Sequence, residues 1–141
     1  MIEFSFINVE VPGFNSELFV LWLTKTVQSE SFKCGDITVV FCDDEYLLAI
    51  NRSYLNHDYY TDIITFDYCE NGLVNGDLFV SVDRVKENAE SLALVFEEEL
   101  RRVCVHGVLH LCGYKDKTDD EKKEMTFKED FYLGRYVSRE T

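Results

Sequence analysis

The sequence predicts an α/β fold, α+β-like in arrangement, built as a single domain over residues 1–141. Three observations carry this reading. Segments with strand period and segments with helix period follow one another as β-α-β-α-β-β-α-α-α, an order that calls for a mixed four-stranded sheet packed with about five helices. A length of 141 residues suits one substantial core. Hydrophobic residues make up 46% and aromatic residues 14%, which excludes a disordered chain, and the only proline is Pro12.

Each element has its own signal. "IEFSFINV" alternates and is rich in β-formers, so it reads as the first strand. Asn15 or Ser16 can cap a helix that runs to about Val27, with Leu18, Phe19, Trp22 and Leu23 on its apolar side. "DITVVFCD" is the second strand, and its continuous apolar run predicts burial on both faces. Asp43 and Asp44 open a helix to about Tyr54. "TDIITFDY" is the third strand, "ENGLVNG" reads as turn, and "DLFVSV" is the fourth strand, paired with the third as a hairpin. A helix follows from about Asp83 to Leu92. The next spans about Phe96 to Leu111, with Glu97, Glu98 and Glu99 in a first turn where the helix dipole favours acids. "TDDE" at Thr118–Glu121 is a capping box for a last helix to about Leu133.

Composition restricts function. The net charge is −13, with 12 acids and 3 bases in residues 1–70 and 15 acids and 11 bases in residues 71–141. Broad binding to a phosphate backbone needs a basic surface, so any nucleic-acid contact is expected to be local or assisted by a partner. No apolar run reaches the length of a membrane span, and "MIEFSFINVEV" lacks the pattern of a signal peptide. The expectation is a cytoplasmic protein. Cys34, Cys42, Cys69, Cys104 and Cys112 are odd in number and scattered, as expected of reduced, mostly buried thiols.

The chemistry concentrates in "HGVLHLCGYKD", residues 106–116. His106 and His110 are four apart, so on a helix they share a face, with Cβ atoms about 5–6 Å apart. They can aim two ring nitrogens at one ion. Gly113 suits the left-handed residue that ends a helix and turns the chain back, and Asp116 then arrives where a carboxylate can complete the set. Two histidines at this spacing also occur as core or surface residues with ordinary hydrogen-bond partners, and Asp116 also reads as part of the solvated run "KDKTDDEKK". HxxxHxxGxxD matches the metzincin spacing HExxHxxGxxH except that Gly107 stands at the catalytic glutamate and Asp116 at the third histidine. A metallopeptidase is therefore disfavoured. Cys104 and Cys112 lie two residues from a histidine and point elsewhere. His57, in "NHDYYTD", reads as a surface histidine.

"HGVLHLCGY" resembles the signature of the YbeY endoribonuclease family, HGxLHLxGYDH. "YLNHDYYTDIITF" resembles that family's YRxKDxPTDVLSF at Tyr54, Asp58, Thr61, Asp62 and Phe66, and "NGDLFVS" its LGDIxIS at Gly76, Asp77 and Ser81. The tail from "DDEKKEM" to Leu133 and Gly134 also fits. The resemblance covers the chain from about Asp36 onward. It implies a mixed α/β fold, one bound Zn2+, and a single-strand-specific endoribonuclease acting in small-subunit ribosomal RNA maturation and ribosome quality control. Its departures are Asp116 for the third histidine, Lys115 for the aspartate before it, Leu55 for a functional arginine and Tyr60 for a proline.

The expected metal ligands are His106, His110 and Asp116, with Arg52, His57, Asp62 and Lys115 as further cleft residues. The general base is unassigned. Lys115, Lys117, Arg101 and Arg102 are the bases expected to meet phosphate. Implied partners are ribosomal RNA and the small ribosomal subunit, together with a partner protein and no membrane. Two other readings stay open: an assembly factor whose zinc is structural, and an iron(II) centre built on two histidines and a carboxylate.

Overall fold

The structure, a computed structural model, describes residues 1–136. Its elements are β1 (Ile2–Phe6), α1 (Ser16–Ser29), β2 (Lys33–Cys42), α2 (Asp44–Leu55), β3 (Ile63–Asp67), β4 (Leu73–Ser81), α3 (Val82–Ser91), α4 (Phe96–Leu111) and α5 (Asp119–Leu133). One mixed sheet has the order β1-β2-β4-β3. β1 and β4 both pair with β2 in parallel, and β3 pairs with β4 antiparallel. The predicted class, strand count and helix count are all met. Among the described residues no helix is long and apolar enough to cross a membrane.

β2 lies between two strands, and Val39, Val40, Phe41 and Cys42 are all buried, as its unbroken apolar run predicts. On one face of the sheet, Val39, Phe41, Leu78 and Val80 join Leu23 and Val27 of α1 and Val105, Val108 and Leu109 of α4 in the main core. A smaller cluster of Cys42, Leu47 and Ile64, with Phe66 and Phe79 against it, holds α2. Asn15, Asp43 and Thr118 cap their helices through side-chain oxygens, and Thr118 with Glu121 completes the capping box.

"ENGLVNG" is shorter as a turn than its composition predicts. Only Asn71 and Gly72 turn the chain, at φ 51° and 79°, the two positive values that a type I′ hairpin requires. The second Asn-Gly pair lies inside β4, for packing reasons. A Cβ on Gly76 would come within 2.6 Å of the Phe66 carbonyl and 2.8 Å of the Leu111 side chain, so glycine lets the end of α4 sit close on the sheet. The Asn75 side chain fills an irregularity in β2 between Cys34 and Ile37, where its Oδ1 accepts from the Asp36 N–H at 2.8 Å. That irregularity lets β2 begin at Lys33, ahead of the predicted Asp36. All five cysteines are free. Cys42 and Cys104 are buried and the other three are half-buried, fewer fully buried than expected.

Candidate metal centre

α4 ends as its sequence predicts. Gly113 has φ 106°, its N–H bonds to the His110 carbonyl, and the Tyr114 N–H bonds to the Leu109 carbonyl. This is the Schellman pairing, which reverses the chain beside the last helical turn. The reversal carries Asp116 back to the histidine face. His106 Nε2 and His110 Nε2 are 3.0 Å apart, and Asp116 Oδ2 is 3.2 Å and 3.4 Å from them. Tetrahedral zinc, with ligands at about 2.0–2.1 Å, needs neighbouring donors about 3.3 Å apart. The triangle of donors fits one divalent ion and leaves further coordination positions beyond it.

Hydrogen bonds fix which ring nitrogens are available. His106 Nδ1 donates to Glu129 Oε2 at 2.6 Å, and His110 Nδ1 donates to the Tyr114 carbonyl at 2.9 Å. A carboxylate and a carbonyl only accept here, so both protons sit on Nδ1 and both Nε2 lone pairs face the site. Burial pushes the His106 ring down from its ordinary pKa, but the Glu129, Asp116 and Asp62 carboxylates outweigh it, and the net direction is up. The same field favours a cation at the Nε2 atoms.

Around these donors lies a set of groups to which local sequence pattern gave no role in orienting the ligands. Glu129, 7% exposed, also accepts from Arg102 Nη1 at 2.7 Å, and Arg102 Nη2 donates to Asp130 at 2.6 Å. Glu99, in the first turn of α4, is buried, and its Oε1 has no hydrogen-bond partner among the described residues. Burial holds its carboxyl above the usual range, and Asp62 and Glu129 add to this. Glu30, at the end of α1, accepts from the Tyr114 hydroxyl at 2.6 Å, from the Tyr132 hydroxyl, and from Lys128 at 3.2 Å. It ties down the loop that delivers Asp116. The one available signal was an acid 23 residues beyond His106 on a helix whose capping box was legible, and nothing local selects Glu129 from the other acids of α5.

Of the predicted cleft residues, Asp62 is the one whose charge acts on the ligand His106. It precedes β3, its carboxyl is pushed up by burial and opposed by His106, and Asn88 donates to it at 3.4 Å. Arg52 pairs with Asp58, and His57 stacks on Tyr59 and bonds to its hydroxyl. Lys115 is exposed and acts on Glu121. None of these three has a hydrogen bond or ion pair to the cluster among the described residues. Arg102 is held by two carboxylates and Arg101 lies 4.7 Å over the Tyr136 ring, so neither is the free phosphate contact that was expected. Gly107 is explained by packing. A Cβ there would meet Ile63 Cδ1 at 2.6 Å and Leu78 at 3.1 Å, so the glutamate of a metzincin has no room. A concavity of about 680 Å3, lined by Leu18, Trp22, Lys25, Tyr132 and Arg135 among others, includes none of the cluster.

Comparison with known proteins identifies the family. The family model described as endoribonuclease YbeY matches residues 8–137. A protein named endoribonuclease YbeY from Flavobacterium johnsoniae is 50% identical over 136 residues, covering 96% of this chain and 97% of its own. One of the same name from Porphyromonas gingivalis is 45% identical over 129 residues, covering 92% and 85%. The solution structure of a Thermotoga maritima protein superposes with a TM-score of 0.68 at 30% identity, covering 96% of this chain and 89% of that one. With the family model matched from residue 8 onward and full-length relatives at this identity, the chain belongs to the endoribonuclease YbeY family.

Proposed function

We propose that this protein is a cytoplasmic, zinc-dependent, single-strand-specific endoribonuclease that acts in small-subunit ribosomal RNA maturation and ribosome quality control. One observation carries the reading: three donor atoms 3.0–3.4 Å apart, with both Nε2 lone pairs turned to one point, in a chain of this family. A bound divalent ion supplies Lewis acidity toward a phosphoryl oxygen. Two neutral histidines and one carboxylate leave it a net charge of +1. The chain's own contribution is positional. Glu129 holds the proton on His106 Nδ1, the Tyr114 carbonyl holds that on His110 Nδ1, and Glu30 fixes Tyr114. Asp62 acts electrostatically on His106, and the group that exchanges a proton with substrate or water is unassigned.

The acidic surface argues that the RNA reaches the site as part of a ribosomal particle, positioned by a partner protein. The test compares cleavage of free precursor RNA and of small-subunit particles at matched salt, with and without chelator. Chelator-sensitive cleavage, stronger on particles and lost in His110→Ala, is expected. Equal rates on both substrates defeat partner assistance. Absence of metal-dependent cleavage on either, with zinc bound, favours the second reading, an assembly factor with a structural zinc. Leu55 in place of the family's arginine and the net charge of −13 are the observations on its side.

A further inference from the structure

We infer that the free edge of β3 is a docking site for an extended, basic segment of a partner protein, which adds to the sheet as a fifth strand. Among the described residues β3 pairs only with β4. The Ser81 N–H bonds to the Asp62 carbonyl and the Tyr68 N–H to the Asn75 carbonyl. In this antiparallel register the even-numbered residues of β3 form the hydrogen-bonded pairs with β4. Ile63, Thr65 and Asp67 therefore turn their N–H and C=O groups outward, a row of donors and acceptors of the kind that an added strand completes.

The flanks indicate the chemistry of the occupant. Tyr54, Leu55, Tyr59, Tyr60 and Tyr68 are 72%, 41%, 56%, 46% and 58% exposed, and Tyr54 packs edge-on against Phe66 of β3. At β1, the opposite edge, Met1 and Phe6 are the exposed large hydrophobics. From Ser53 to Asp83 the chain has no lysine or arginine, and β3 with its hairpin exposes the carboxylates of Asp67 and Glu70, while Asp58 is already paired with Arg52. An acidic edge repels the same edge of a second copy and repels a phosphate backbone, but attracts lysine and arginine. The Tyr54 and Tyr68 rings can also receive those cations, whereas Tyr60 already lies under Arg84 and Tyr59 stacks on His57. A strand alternating basic and apolar residues satisfies the backbone row, the charge and the aromatic flank together. This surface is distinct from the hydrolytic reading, and its readout is independent of RNA cleavage.

The test titrates the full-length, zinc-loaded protein with a fluorescent peptide of alternating lysine and valine, about eight residues long to span an edge of this size. The controls are the same peptide N-methylated at alternate backbone nitrogens and a glutamate-for-lysine peptide. Saturable one-to-one binding is expected, weakened at least about tenfold by N-methylation and absent for the glutamate peptide. Thr65→Pro should weaken binding similarly, because it removes an outward N–H and no bond of the β4 ladder. Its fold is checked by circular dichroism and zinc content, and if it fails to fold, the N-methylated peptide on the parent protein decides. Equal binding of the methylated peptide means charge alone and overturns the proposal. So does absence of saturable binding, or displacement of the peptide by single-stranded RNA of matched length.

Discussion

Glu129→Gln is the sharpest probe of the centre, because its consequence follows from counting donors. Glu129 accepts on two different oxygens, from Arg102 on Oε1 at 2.7 Å and from His106 Nδ1 on Oε2 at 2.6 Å. Glutamine keeps the shape but has one carbonyl oxygen. If that oxygen stays with Arg102, the amide NH2 faces His106 Nδ1 and favours the other tautomer, with the proton on Nε2, the atom that must bind metal. The site is 7% exposed, so water does little to relieve the clash. Outer-sphere partners of this kind are worth about 10- to 100-fold in metal affinity, or ~1.4–2.7 kcal/mol, and the burial places this one toward the upper end. Arg102 keeps Asp130 at 2.6 Å, so folding stability should fall by only roughly 1–3 kcal/mol. The assay is competition for zinc against a chromophoric chelator, with His110→Ala as the variant that abolishes tight binding. A folded Glu129→Gln protein whose zinc affinity stays within about twofold of the parent would refute the tautomer argument.

Other predictions follow from single contacts. Asp116→Asn should weaken metal binding by removing the one ligand charge, and Asp116→His should restore it; zinc bound by Asp116→Ala as tightly as by the parent would make the aspartate a plain loop residue. Gly107→Ala should cost about 1 kcal/mol, since Ile63 Cδ1 at 2.6 Å must give way, and Gly107→Glu several times more, read as melting temperature. Burial pushes the Glu30 carboxyl up, but the Tyr114, Tyr132 and Lys128 bonds outweigh it and hold it below the usual glutamate range. A depressed carboxyl contributes stability that is present above its unfolded pKa and lost as pH falls through the folded one. Melting of the parent between neutral pH and pH about 3 should therefore fall more steeply than melting of Glu30→Gln; parallel curves would remove Glu30 from the account.

The sequence by itself determined what short-range geometry decides. Residues four apart on a helix share a face, so His106 and His110 were legible as a pair before any fold was known. Glycine tolerates the positive φ that ends α4, so Gly113 and the return to Asp116 were legible too, as were the Thr118 capping box and the buried central strand β2. Only the tertiary structure decided the rest, because the deciding contacts join residues far apart in the chain. Asn71-Gly72 and Asn75-Gly76 are the same dipeptide, yet one turns and the other lies in β4 because Leu111 packs where its Cβ would be. Gly107 looked like a missing catalytic base and is a point of close helix-to-sheet contact with Ile63 and Leu78. Glu129, 23 residues from His106, and Glu30, 84 from Tyr114, orient the centre only once α1 and α5 have packed beside α4. No local preference distinguishes either from the other acids of the chain, since a carboxylate acquires its role from the donors that burial brings to it.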